Sequence, residues 1–570
     1  MKSLSLLVSV LVSFSAYTQT QIIQNINLID VKTGKVIPGM SVVITGQTIA
    51  QVGMSKSIKM IAGATVLNGE GKFLMPGLID SHIHFFQSGG LYARPDAVHF
   101  DFMPYEKEKA FVRSITPDHL TRYLLLGITT VADDGGPLWN FTVRDSISKT
   151  LPSPNVFVTG PLFSMVSREA LGKTDPPIVK ITSNAQADSL MAKILPFKPD
   201  FIKIWYIAGP QLPAEKNFEL VKHIAQQAHK NNLKLLVHAT QLKTADLALD
   251  AGADILVHSI ADFVIPDAFI KKLKDRNVTY IPTLIVSKGY NKTFARRLDH
   301  HPQDLSWANP FAYGSLSDLE KIKEDSWPPV VKRLSKEGIP KSETRTDSIQ
   351  ALNLKKLMTA GVNIATGTDA GNIGTLHASS YLQELQAMIK AGLSTAEVLK
   401  ASTINPALGF GWGNNLGSIE KGKLADMIVL DKNPLENIDN LNTLAYVIKS
   451  GKLMKADTIL KETPEALIQR QLNAYNARNI DAFLDTYAED VELYNFPNQL
   501  TTKGKVDMRK RYEPFFAVTP NLYCEIVNRI VMGNKVIDEE KVRAGTQTIR
   551  AAAVYEVLDG KIRKVTFVRP

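Results

Sequence analysis

The chain has a single cysteine, Cys524, in 570 residues. No intramolecular disulfide can form, so stability has to come from packing, and no early cysteine is available for a lipid anchor. Long apolar runs are scarce. The run from Leu4 to Phe14 is too short to span a bilayer, and Gln and Thr follow it where a stop-transfer segment would place basic residues. With Lys2 ahead of it and small or polar residues behind, 1–20 reads as an export signal cleaved between about Ala16 and Thr20. That predicts a periplasmic or extracellular protein with no stable membrane span after cleavage. The absence of a Gly-rich dinucleotide turn weakens the case for a doubly wound open sheet. No GxSxG elbow appears, so a serine nucleophile has little support. The net charge of +10 is modest for this length, the basic residues are scattered among acids, and no nucleic-acid motif accompanies them. A nucleic-acid partner is not expected.

What is present is an ordered alternation. "IIQNINLIDVKTGKVIPGMSVVITGQTIAQVG" strings short apolar runs between Gly, Thr-Gly and Pro-Gly turns, and the texture returns in "GSIEKGKLADMIVLDKNPLENIDNLNTLAYVIKSGKLMK". Residues 21–76 and 413–456 together predict one discontinuous small β-sandwich domain. Between them, over 77–412, eight apolar runs alternate with helical patterns: "GLIDSHIH", "GITTVAD", "NVFVTG", "DFIKIW", "LKLLVHA", "DILVHS", "VTYIPTL" and "NIATGTD". Eight such units predict an α/β protein built on a (β/α)8 barrel. The connection from Ser287 to about Asp347 is far longer than usual, which suits a lid over the catalytic face or a solvated decoration. Over 463–570, two amphipathic helices lead into alternating strands, an α+β unit.

Lys203, in "DFIKIWYI", stands alone among Phe, Ile, Trp and Tyr. An unpartnered ammonium there would cost several kcal/mol, so the side chain either meets a carboxylate or is chemically altered. Four of the eleven histidines fall at the C-terminal ends of predicted strands: His82 and His84 on the first, His238 on the fifth, His258 on the sixth. Asp369 ends the eighth and Lys203 lies on the fourth. In a barrel these ends converge on one mouth, and alternate residues such as His82 and His84 share a face. Imidazole and carboxylate are common ligands of borderline divalent metals such as zinc.

The segments "MPGLIDSHIH", "FIKIW", "LLVHAT", "ILVHS" and "TGTDAG", supported by "STINPAL" and "GSIEKGKLADMIVLD", resemble the metal-dependent amidohydrolase superfamily. The likeness runs from about Ile22 to Lys455 and is greatest for the imidazolonepropionase-like group that includes metal-dependent Xaa-Pro dipeptidases. It implies two divalent metal ions, zinc by preference, with a carbamate on Lys203 bridging them. His82, His84 and Asp369 would hold one ion, His238 and His258 the other. It further implies hydrolysis of a C–N bond, with Asp369 as general base and then acid. If Lys203 instead pairs with a buried acid, the site is mononuclear, as in the deaminase branch. His82, His84, His238 and Asp369 then share one ion while His258 faces substrate. A non-catalytic scaffold is the remaining alternative.

The substrate expected is a small molecule: a dipeptide, an N-acyl amino acid, a cyclic amide or a lactone. Trp205, Tyr206, Tyr290 and His377 are candidates to line its pocket, and no clear basic residue offers itself to a substrate carboxylate. In the last unit, "AYNARNIDAFLDTYAEDVELY" resembles the SnoaL-like branch of the nuclear-transport-factor-2 fold, a cone-shaped α+β domain. The acid that isomerase members carry just beyond this stretch is replaced by "YNFPN", which argues for dimerisation or binding of a small apolar ligand over a second active site. Homo-oligomers through the barrel or this domain are compatible with that reading.

Overall fold

The computed structural model describes residues 20–569. The expected export signal lies outside them except for Thr20, which already belongs to a strand. No helix among the described residues is long and apolar enough to cross a membrane.

Eight strands from the two predicted β regions form one sheet. Thr20–Asp30, Lys35–Thr45, Thr48–Met54, Thr65–Asn68 and Phe73–Pro76 come from the first region. Met427–Leu430, Leu444–Lys449 and Lys452–Lys455 come from the second, and the seam is the antiparallel pairing of Phe73–Pro76 with Met427–Leu430. Ile23, Ile26, Val42, Leu74, Met427 and Ile448 fill its core. The sequence predicts a sandwich of two sheets, but hydrogen bonding runs through all eight strands. The reason is the length of Thr20–Asp30, whose 11 residues pair with Lys35–Thr45 along one edge and with Thr65–Asn68 and Phe73–Pro76 along the other.

The centre of the chain is parallel α/β. Leu78–Ile83, Ile128–Asp133 and Asn155–Val158 make one sheet. Leu162–Ser164, Ile178–Lys180, Ile202–Trp205, Leu235–His238, Ile255–Val257, Thr279–Ile281 and Asn363–Ile364 make the other. Leu235, Leu236, Val237, Ile255, Leu256 and Val257 are completely buried, as parallel strands covered on both faces require. The covering helices show the matching stripe. Phe218–Lys230 buries Val221, Ile224, Ala225 and Ala228, one face of a 3.6-residue period. The sheets meet at both edges: Asp200 N–H donates to Val158 O at 3.0 Å, Ser81 N–H to Thr366 O at 2.9 Å and His84 N–H to Ala370 O at 2.8 Å. Each of the eight runs picked out in the sequence contains a strand. Leu162–Ser164 and Ile178–Lys180 escaped notice because three residues are too few to show a period.

The long connection after Thr279–Ile281 is helical, with Val286–Phe294, Pro302–Trp307, Pro310–Ser315 and Pro329–Glu337 preceding Lys341–Thr359. Pro310 opens its helix, and the Asn309 side chain caps it by accepting from the N–H groups of Phe311 and Ala312. Phe294, Leu305, Tyr313, Leu316 and Val331 pack with Leu91 and Phe100 and with Ile373 and Leu376, just beyond Asp369. The insertion is therefore wedged into the molecule instead of decorating it. Its far side meets the last domain, where Asn473 Nδ2 donates to Pro310 O at 2.7 Å.

That domain wraps helices Pro464–Asn476, Ile480–Asp485 and Gly504–Val518 around a six-stranded sheet. The third helix was not expected. Its internal Pro514 disguises it, and it buries only Met508 and Phe516, too little for a readable stripe. Inside the sheet lies a cavity of about 530 Å³ lined by Tyr475, Phe483, Tyr487, Tyr512 and Tyr555 among others. "YNFPN" brings no acid to it, but a different strand does: Glu540, on Lys535–Ala544, accepts from the Tyr555 hydroxyl at 2.8 Å. Burial pushes this carboxyl from 4.5 up to about 7. The folded domain thus keeps a proton that the unfolded chain has already lost, and stability should fall as pH climbs between those values, then level off. The loss from this group is on the order of 3 kcal/mol. Denaturant melts at pH 5 and pH 7.5, compared between wild type and Glu540→Gln, measure it: the variant should lose much of the slope.

Candidate metal centre

His82 and His84 stand two residues apart at the end of Leu78–Ile83, with ring centroids 5.0 Å apart and planes at 89°. Asp369 Oδ1 lies 3.2 Å from His82 Nε2 and 3.1 Å from His84 Nε2. The three donor groups fall within 4.8 Å of one another, the spacing of a metal-ligand set. Their surroundings fit a cation. His84 Nδ1 donates to Gly135 O at 2.9 Å and His82 Nδ1 faces Asp134 Oδ2 at 2.7 Å, so both imidazoles turn a free Nε2 inward. His82 Nε2 is buried and, among the described residues, has no hydrogen-bond partner. Two nitrogen donors and a carboxylate aimed at one point match a borderline divalent ion.

The other predicted ligands stand beside this group. The His258 ring is 5.0 Å from that of His82 and 4.3 Å from that of His238, and its Nδ1 is 3.8 Å from Asp369 Oδ2. Thr283 Oγ1, 2.8 Å from the same nitrogen, fixes its orientation. Lys203 Nζ is 3.3 Å from His82 Nδ1 and 3.6 Å from Asp134 Oδ2. All six side chains singled out in the sequence are thus neighbours.

Local chemistry explains how "LIDSHIH" and "TGTDAG" bring them together. Asp80, completely buried, accepts from Thr368 N–H at 3.0 Å and Thr368 Oγ1–H at 2.7 Å, lashing the first strand to the loop that carries Asp369. Burial pushes its carboxyl up to about 7. A Cβ at Gly367 would sit 2.8 Å from His82 Cβ, and one at Gly371, where φ is +107°, would sit 2.5 Å from His84 O. Only glycine permits those approaches. Asp369 itself has φ +61° and His258 φ +75°, strained backbone of the kind that accumulates at functional sites.

Electrostatics are balanced across the cluster. Burial and Lys203 press the His82 imidazole down, but Asp134 and Asp369 outweigh them and hold it above its ordinary value. Burial drives His238 and His258 well below theirs and His84 below. It also lowers Lys203, with Asp134 and Asp369 pulling the other way. Against the penalty of burial, His82, His84 and His258 hold Asp369 well below the usual carboxylate range. His84, His238 and His258 are thus held neutral beside an ionised carboxylate, as metal ligation requires, while His82 would give up its proton on binding the ion.

The candidate substrate residues divide. Trp205 sits edge-on to His238 at 5.6 Å, and Tyr290 donates to Asn372 Oδ1 at 2.7 Å while Asn372 Nδ2 donates to Asp369 Oδ1 at 2.8 Å. Both stand beside the metal-ligand group. Tyr206 does not, since its hydroxyl is spent on Ala214 O at 2.6 Å inside the core. His377 is also a packing residue: Tyr123 Oη is 3.0 Å from Nδ1, Gln87 O is 2.9 Å from Nε2, and Phe85 stacks on the ring. Burial lowers it to about 4.

Four further residues went unnoticed in the sequence. Asp134 follows directly on the apolar run ending "VADD", where the doubled acid at a strand end was the available signal. Arg94, Asn372 and Arg168 lie in loops, which have no period to read. Arg94 grips Asp96 with two bonds of 2.7 Å and donates to Asn372 Oδ1 at 2.7 Å. The Arg168 guanidinium lies 4.9 Å above the Trp205 ring, and its Nε, 3.4 Å from Asp96 Oδ2, makes no hydrogen bond among the described residues. Phe86, Leu162, Leu171 and Ile178, with Tyr105 and Trp205, form an apolar cluster beside it.

Comparison with known proteins bears on this site. The profile of the Amidohydrolase family matches residues 73–454, and that of the SnoaL-like domain matches residues 468–565. A 5-methylthioadenosine/S-adenosylhomocysteine deaminase of Caldanaerobacter subterraneus is 22% identical over 490 residues, 80% of this chain and 95% of that protein. An imidazolonepropionase of Thermoanaerobacter pseudethanolicus is 40% identical over 114 residues, 19% of this chain and 24% of that protein. Among solved structures, a Xaa-Pro dipeptidase with methionine bound in its active site superposes with a TM-score of 0.59 at 22% identity, over 77% of this chain and 100% of that one.

The Asp134 contact gives a direct test. Asp134→Asn keeps the size but removes the charge that orients His82, which should weaken metal affinity about ten- to a hundredfold. Chelator competition followed by metal analysis reads the change. Unaltered affinity would leave Asp134 with no role in holding the ligand.

Proposed function

The chain belongs to the amidohydrolase family, and from that premise we propose that it hydrolyses an amide-type C–N bond in a small substrate carrying a free carboxylate. The observation that carries this reading is the convergence of His82, His84 and Asp369 on one point. We read the two parallel sheets as one (β/α)8 barrel with that point at its mouth. The bonds from Asp200 to Val158 and from His84 to Ala370 support closure. Export rests on the character of residues 1–20 alone.

His82, His84 and Asp369 would hold one divalent ion, zinc by preference, with His238 and His258 beside it for a second. A bound cation supplies Lewis acidity, lowering the pKa of water and polarising a carbonyl. The chain's own groups do the rest. Asp369, kept ionised, accepts the proton of the attacking water and returns it to the leaving nitrogen. Asn372 holds the Asp369 carboxylate at 2.8 Å and is itself fixed by Tyr290 and Arg94. Phe86, Leu162, Leu171 and Ile178 keep bulk water from the reacting atoms. Arg168, spread over Trp205, supplies the positive charge for a substrate carboxylate, which favours a dipeptide or N-acyl amino acid over a lactone or cyclic amide.

Lys203 separates two versions of the site. In the first, the buried neutral amine would add carbon dioxide, forming a nitrogen–carbon bond and losing one proton, and Lys203 would then offer anionic oxygens as further ligands beside His238 and His258. In the second, Lys203 stays an ammonium paired with Asp134, and one ion suffices. The 3.6 Å separation of Nζ from Asp134 Oδ2 favours the second, as does the deaminase relative. The burial of Lys203, which presses its amine toward the neutral form, and the adjacent pair His238 and His258 favour the first, which we adopt.

Metal analysis decides between them: about two ions per chain and a carbamate carbon signal with 13C-labelled bicarbonate for the first, about one ion and no signal for the second. Asp369→Asn should fold and lose roughly 10²–10⁴ in kcat; wild-type turnover would remove Asp369 from the mechanism. Arg168→Met should raise KM for dipeptides about tenfold or more with little change in kcat, and leave KM for their C-terminal amides unchanged. Equal effects on acid and amide would detach Arg168 from the carboxylate.

A further inference from the structure

A second cavity, of about 620 Å³, lies between the helical insertion and the last domain. Arg296, Arg297 and His300 reach it from the insertion, Arg478 and Arg543 from the last domain. Four arginines and one carboxylate, Glu320, line it, and two of the arginines share that carboxylate: Arg543 Nη2 is 2.6 Å from Glu320 Oε2, and Arg296 pairs with its Oε1. Arg297 and Arg478 have no carboxylate within salt-bridge distance among the described residues. His300 uses Nδ1 on Tyr313 Oη at 2.7 Å. Burial and the Arg478 charge press its imidazole below the ordinary value.

Four arginines around one carboxylate leave an excess of positive charge in a partly open cleft, a field that attracts anions. This excess is also preorganised. The Arg296 guanidinium lies 5.2 Å above the Trp327 ring and that of Arg543 lies 5.7 Å above the Tyr523 ring, so two of the four are held flat before any ligand arrives. Planar, always-charged forks converging from two sides are suited to oxyanions that accept several bonds at once. The cavity is far too large for chloride and is lined by Leu298, Leu316 and Leu522 as well.

We propose that the cleft between the insertion and the last domain is a binding site for a small polyanion, a phosphate ester or a molecule with clustered carboxylates, gripped by Arg297 and Arg478 and bounded by Arg296 and Arg543. The ligand closes the two walls on each other. The insertion wall shares its core with Ile373 and Leu376 beyond Asp369, so the ligand also braces the loop behind the metal centre.

Inorganic phosphate and citrate, titrated calorimetrically into the full-length, metal-loaded protein at constant ionic strength with chloride as control, are the probes. Saturable binding of either, with a Tm that rises and then saturates, is expected; which one binds distinguishes phosphate from carboxylate chemistry. Arg297→Gln and Arg478→Gln should each weaken it about tenfold or more while kcat without the anion stays at the wild-type level. Arg→Lys at either position should retain part of the affinity. No saturable binding of either anion, or equal binding by wild type and both glutamine variants, would overturn the site.

Discussion

Everything at the metal centre depends on keeping several ionisable side chains together out of water. Any one of them alone would be expelled or neutralised. Here the charges are opposed in place: Asp134 and Asp369 face Lys203 and three imidazoles, and Asp369 stays ionised although it is buried. Asp134 is the pivot, reaching His82 at 2.7 Å and Lys203 at 3.6 Å. A bound cation would take over from protons the role of opposing the Asp369 carboxylate. The protein thus holds an unfinished electrostatic set, and metal binding completes it.

Geometry is enforced by the ends of the strands. Their interiors are fully buried and cannot shift by one residue without turning His82 away from the cluster. Just beyond them the chain leaves regular structure, and it does so under strain: Asp369 and His258 both occupy the left-handed region, at roughly 1–3 kcal/mol each. Asp80 with Thr368, Thr283 with His258 and Asn372 with Asp369 offset that strain with buried hydrogen bonds. Glycines at 367 and 371 let backbone pass where a methyl group would collide. Motif and mechanism are one pattern seen at two scales.

The parts legible in the sequence share a property: they obey a short period or sit at the end of an element that does. His82 and His84 are spaced as one face of a strand, and the sixfold recurrence of metal-ligand chemistry at strand ends could be read without coordinates. Asp134 ended such a run too and was passed over because its neighbour Asp133 closed the strand first. Arg94, Arg168 and Asn372 were invisible because loops bring residues together by tertiary path alone. Tyr206 and His377 show the opposite error. Tyr206 lies three residues after Lys203 and His377 eight after Asp369, yet each spends its polar atoms on neighbours inside the core.

The insertion is what makes three units one molecule. Tyr313 and Leu316 pack against Ile373 and Leu376 on one side, while Pro310 and Glu320 bond to Asn473 and Arg543 on the other. Loops of this length are entropically inexpensive to close but have to be buried somewhere. Here burial needs both the central sheets and the last domain, so neither wall is complete without the other. On the proposed anion site, a displacement at the Arg297 and Arg478 cleft would reach the segment that aims Asp369 through packed side chains, not across solvent. Coupling of that kind requires only that the insertion move as a body, which its own core of Phe294, Leu305, Leu316 and Val331 favours.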